Sequence, residues 1–94
     1  MTIYTLSRIN QAMKSLVRDL LQLGSIVRRV RKKRGLSQSE LGAKAGVRQT
    51  TISLMENGKV AKIETVLVVL AALDLELQIA PRSHARGENI EDLF

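Results

Sequence analysis

Ninety-four residues suit one compact domain, because a chain of this size buries only about 60 to 65% of its unfolded surface and cannot support two independent cores. Hydrophobic residues make up 45% of the chain but aromatics only 2%, so the core must be built from Leu, Ile, Val, Ala and Met, which pack between helices and point to an all-α domain. The net charge of +6 favours polyanionic partners, and the absence of cysteine excludes disulfide frameworks and thiolate metal sites and fits a reducing cytosol.

The N-terminus lacks the basic-then-apolar pattern and small-residue cleavage site of a signal peptide, so the protein is expected to stay in the cytoplasm. From Ser7 onward, Ile9, Met13, Leu16, Leu20, Leu23, Val27 and Val30 alternate steps of four and three, which predicts one helical stripe. Gly24-Ser25 interrupts that stripe with a residue that weakens helices and one that caps them. The expectation is two helices, about Arg8 to Leu23 and Ile26 to Arg34, with residues 1–22 forming a helical extension. The stripe covers the core or extends a dimer contact, a coiled-coil seam of some three heptads being the alternative reading. Between Arg28 and Arg34 six of seven positions are Lys or Arg, which fits either a solvated helix face or a surface that draws a polyanion by counterion release.

Gly35 ends the second helix, and the basic residues before it suit the negative end of the helix dipole. Ser37 and Glu40 have the spacing of a capping box, so a short helix is expected from Gln38 to about Ala45. Gly46-Val47 supplies a turn, and another helix from about Gln49 to Glu56 stops at Asn57-Gly58. Two short helices joined through a glycine turn match the helix-turn-helix outline.

Ile63 to Leu73 is apolar almost all round and is expected to form the floor of the core, with Ile63, Val66, Leu67, Val69, Leu70 and Leu73 innermost. Its unbroken apolar run, Val66 to Leu73, falls well short of the roughly 20 residues that span a bilayer. Leu75 to Ala80 then alternates apolar and polar positions up to Pro81, a strand pattern. A lone strand leaves backbone donors and acceptors unpaired, and no other strand is evident in the sequence. The expected solution is a two-stranded ribbon between two copies, carried by Leu75, Leu77 and Ile79, and hence a two-fold homodimer. Residues 82–94 read as a flexible acidic tail. His84 lies there as a solvated residue, and Leu93 and Phe94 beside three acids are candidates for anchoring in a partner's pocket, solubility being the alternative reading.

The stretch from Arg31 to Gly58 resembles the helix-turn-helix of the xenobiotic-response-element and phage-repressor family. The matching pieces are Arg31, Gly35-Leu36-Ser37-Gln38, Glu40-Leu41, Gly46-Val47, Ile52 and Glu56-Asn57-Gly58, while Gly42 departs from the usual alanine. The resemblance implies a lambda-repressor-like bundle, five helices in all with the N-terminal extension, in which residues 23–81 are the DNA-binding and dimerisation domain and the C-terminal strand completes the dimer. It makes Gln49 to Glu56 the recognition helix, whose N-terminal residues face base edges in the major groove. Gln49 offers the donor and acceptor that adenine's N6 and N7 require, and the methyls of Thr50 and Thr51 suit a thymine methyl. Arg48 is placed for a guanine or a phosphate, and Ser53 lies one turn beyond Gln49 on the same face. By the same resemblance Gln38, Asn57, Lys59 and Lys62 hold phosphates, and Arg31 and Glu56 form a pair bridging two helices.

Ile3-Tyr4-Thr5-Leu6-Ser7, Ala12-Met13-Lys14, Gln49-Thr50-Thr51-Ile52-Ser53, the lone strand and the Leu93-Phe94 end are similar to the HipB antitoxins of HipA-type kinase toxins. That similarity implies a palindromic DNA operator and a kinase toxin as partners. The sequence shows no paired carboxylates for acid-base work, no nucleophile with a base, no metal-ligand spacing and no glycine-rich phosphate loop. No enzyme activity, cofactor, metal, membrane or small-molecule substrate is therefore expected. The alternatives are a repressor without a toxin, and an adaptor that uses the basic helix on proteins or membrane surfaces.

Overall fold

Asp19 sets where the helical part begins. The computed structural model describes residues 2–7, 14–59 and 61–81. Within it, the Asp19 carboxylate accepts a hydrogen bond from the Gln22 amide at 2.8 Å, and Gln22 Oε1 accepts one from the Arg18 amide at 2.6 Å. These bonds satisfy amides that a helix leaves unpaired at its start, so α1 runs Leu20–Lys33. The helix passes through Gly24-Ser25 without a break, which corrects the expected split into two. Gly24 is there because α1 crosses close over the end of another helix: a Cβ at this position would run into the Met55 carbonyl oxygen and lie 2.7 Å from that of Glu56.

Helices α2 (Gln38–Ala45) and α3 (Gln49–Glu56) follow with the expected boundaries, and α4 (Ile63–Ala72) ends one residue before the expected Leu73, which is its C-cap. The capping box at Ser37 is formed in both directions, at 3.0 Å from the Glu40 amide to Ser37 Oγ and 2.9 Å from the Ser37 amide to Glu40 Oε1. Together the four helices enclose a core in which Val27, Leu41, Ile52, Met55, Val69, Leu70 and Leu73 are fully buried. Ile63 and Leu67, expected inside, are instead 61% and 48% exposed, because Val66, Val69 and Leu70 already fill the inner face of α4.

The largest departure lies at the N-terminus. Residues Thr2–Ser7 form strand β1 and Lys14–Val17 form β2, where a helix from Arg8 was expected; positions 8–13 fall outside the described residues. With β3 (Leu75–Ala80) they make an antiparallel sheet of order β2-β1-β3, in which Ile3 stands opposite both Val17 and Ile79. The strand thought to lack a partner thus finds one in its own chain. Thr2, Ile3, Tyr4 and Thr5 are β-branched or aromatic, which suits the strand that pairs with β3. The described residues hold four helices and three strands, so the fold is predominantly helical rather than an all-α bundle of five. Among them no helix is long and apolar enough to cross a membrane, and no cluster of His, Cys, Asp or Glu could hold a metal.

Candidate nucleic-acid interface

Two glycines make the turn between α2 and α3. Gly46 adopts φ 76°, a left-handed conformation that only glycine enters without strain, and the Val47 amide then donates back to the Gly42 carbonyl at 2.8 Å. A Cβ on Gly42 would sit 2.8 Å from the Val47 carbonyl oxygen, so this departure from alanine lets the turn close tightly on α2.

The turn delivers α3 with Ile52, Met55 and Glu56 facing inward. Gln49 and Thr50 are exposed, Thr51 and Ser53 half-buried, and Arg48 is the exposed N-cap, with no side-chain capping bond. Of the polar residues singled out for base contact, Arg48, Gln49 and Thr50 are therefore open to solvent, and Thr51 and Ser53 lie on the flanks of the buried face. Leu54 joins them at 52% exposure, one turn on from Thr50. Sequence reasoning passed over Leu54, although the core positions Ile52 and Met55 place it on the opposite side of the helix, where an apolar side chain suits a thymine methyl.

Beneath this surface lies a continuous hydrogen-bonded chain. Arg31 Nε donates to Glu56 Oε2 at 2.6 Å and its terminal nitrogens donate to Glu56 Oε1 at 3.0 Å and to the Leu36 carbonyl at 2.8 Å. The pair is buried, with side chains 10% and 2% exposed. The hydrogen bond to Glu56 holds the Arg31 guanidinium protonated more firmly than usual, outweighing the opposing effect of burial, and the charge attraction adds to it. Gln38 Nε2 donates to Glu56 Oε1 at 3.2 Å, and Gln49 Nε2 donates to Gln38 Oε1 at 2.7 Å. The structure thus brings Arg31, Glu56, Gln38 and Gln49, from three helices, into one line.

The remaining positions are spread around this centre. Asn57, exposed at the end of α3, donates through Nδ2 to the Ser53 carbonyl at 2.8 Å. Lys59 and Lys62 are exposed on the link to α4, Lys62 as its N-cap. In α1 the residues Arg28, Arg29, Lys32 and Lys33 are exposed, whereas Arg31 is committed to the interior, so the basic run is not one uniform face. On β3, Leu75 is buried and Leu77 half-buried against the chain's own core; only Ile79, 61% exposed, is left outward. Leu93 and Phe94 lie outside the described residues.

Comparison with known proteins agrees with this geometry. A helix-turn-helix family profile matches residues 27–79, more than half of the chain. Antitoxin HipB from Escherichia coli strain K12 and its counterpart from Escherichia coli O6:H1 are both 34% identical over 71 residues, which is 74% of this chain and 81% and 76% of theirs. Among solved structures, the HipB-O4 20mer complex superposes with a TM-score of 0.63 at 32% identity, over 68% of this chain and 92% of that one. A HipA-HipB-O2-O3 complex gives the same four values. The chain belongs to the helix-turn-helix family, with HipB antitoxins among its relatives, and is a DNA-binding regulator rather than an enzyme.

Proposed function

We propose that this protein is a HipB-like antitoxin, which binds a palindromic operator as a homodimer, represses its own operon at the nucleoid and pairs with a HipA-type kinase toxin. The observation that carries the reading is the outward polar face of α3, where Gln49 and Thr50 are exposed at the helix start beside the exposed N-cap Arg48. In the major groove Gln49 meets an adenine, Thr50 and Thr51 meet thymine methyls, and Arg48 and Ser53 add contacts at the flanks. Gln38 at the start of α2, with Asn57, Lys59 and Lys62, holds the phosphates on either side and fixes the register. The HipA-HipB complex among its structural relatives supports the toxin partner.

Dimerisation has a different support from the one sequence reasoning gave. Among the described residues, strand β3 pairs with β1 on one side only, so its other edge lies at the margin of the sheet. That edge, Ile79 and the exposed apolar residues Ile63, Leu67 and Val68 of α4 suit a second copy. The test is a mobility-shift titration on the DNA upstream of the gene, with purification from the native host. Tight binding to that DNA but not to a scrambled duplex, and a kinase in the purified complex, are expected. Specific binding without any partner leaves a repressor acting alone, and salt-sensitive binding to every duplex contradicts operator recognition.

A further inference from the structure

The line of hydrogen bonds from Arg31 to Gln49 has a direction. Arg31 can only donate, so it is matched by a carboxylate that can only accept. Glu56 Oε1, already receiving Arg31 at 3.0 Å, faces Gln38 at 3.2 Å and must therefore face its amino group. That turns Gln38 Oε1 toward Gln49 at 2.7 Å, and an acceptor there requires the amino group of Gln49. One N–H of Gln49 is thereby spent on Gln38, which leaves its other N–H and Oε1 for a base edge in a fixed order.

We infer that the Glu56 carboxylate is a positioning residue for base choice: through Gln38 it fixes which way round the Gln49 amide meets DNA, and so makes α3 prefer adenine to guanine. This rests on the reading of α3 as the recognition helix. Adenine shows a donor at N6 beside an acceptor at N7, which the fixed amide matches. Guanine replaces the donor with the O6 acceptor, which would oppose Gln49 Oε1. An amide able to turn over would meet O6 with its amino group and lose the discrimination. The polarity of a solvent-exposed side chain is thus set by a group 2% exposed, two residues removed along the line.

Replacing Glu56 with its amide isostere breaks the logic while keeping the shape. In Glu56→Gln the oxygen stays with Arg31 Nε, the shorter of the two Arg31 contacts at 2.6 Å, so the amino group falls where Oε1 now receives both Arg31 and Gln38 and repels the Gln38 amino group. Gln38 then turns over, and Gln49 with it.

The experiment is selection of binding sites from a randomised duplex library by the full chain, comparing wild type, Gln49→Ala and Glu56→Gln. Wild type is expected to favour adenine about ten-fold or more over guanine at one position per half-site, the position at which Gln49→Ala loses its preference. Glu56→Gln is expected to bring that ratio within about three-fold or to reverse it, with preferences elsewhere unchanged. A double variant, R31M/E56M, replaces the ion pair by apolar side chains, which such sites commonly tolerate, and also leaves Gln38 unpinned; it serves if Glu56→Gln fails to fold. A folded variant that keeps the wild-type ratio overturns the inference alone. A wild type that selects no base anywhere overturns the reading of α3 itself.

Discussion

Gln49 is exposed, yet the group that decides its orientation is buried. An amide held in one order meets a base edge without first losing rotamer freedom, which favours specific contact over loose adhesion. Gln49→Ala is expected to weaken operator binding by about 1 to 3 kcal/mol while leaving binding to unrelated duplex unchanged, measured by titration against both DNAs. Equal loss on both would contradict the assignment. Gln49, Arg31 and Glu56 could be singled out in the sequence because family resemblance names positions. The side-chain role of Gln38 could not, since its amide is oriented by neighbours 11 and 18 residues away that only the fold brings close.

Helix ends and helix crossings carry the three stability predictions. Ser37→Ala should cost about 1 kcal/mol in denaturant unfolding, the usual worth of an N-cap side chain. The Ser37 amide, and then its hydroxyl, hold the Glu40 carboxyl below its ordinary value of 4.5. A depressed carboxyl contributes stability above its unfolded value and loses it as pH falls through the folded one. The stability advantage of wild type over Glu40→Gln should therefore be full near neutrality and fade below about pH 4.5. An advantage that grows on acidification would contradict the cap.

Gly24→Ala tests the crossing of α1 over α3. Alanine gains about 1 kcal/mol of helix propensity, but its methyl meets backbone carbonyls of α3 that cannot swing aside. Overpacking of this kind costs about 1 to 3 kcal/mol, so a net loss is expected, together with weaker operator binding as α3 is displaced. A variant more stable than wild type would show that the helices have room. Helices α2, α3 and α4 were legible in the sequence because their caps and turns are local signals. The start of α1 was not, because the stripe running back through Leu16 outweighed Asp19 and Gln22, whose capping bonds form only once the chain turns there.

β3 was readable as a strand from alternation alone, but its neighbour was misassigned, since pairing is non-local and the N-terminal segment carries a competing helical pattern. The consequence concerns assembly: among the described residues β1 takes one edge of β3, which leaves the other edge to meet a second copy. Ile63→Glu combined with Ile79→Lys alters two side chains that are each 61% exposed, so the fold should survive while the dimer does not. Light scattering should then report half the wild-type mass; an unchanged mass would remove this face from the interface.

Hydroxyl-radical footprinting of the full chain on its own upstream DNA asks most directly whether α3 is presented twice to a duplex. Two protected patches on one face, with centres one turn or roughly 34 Å apart and both lost in Gln49→Ala, are the expected result. A single patch, or protection that Gln49→Ala leaves intact, would contradict it.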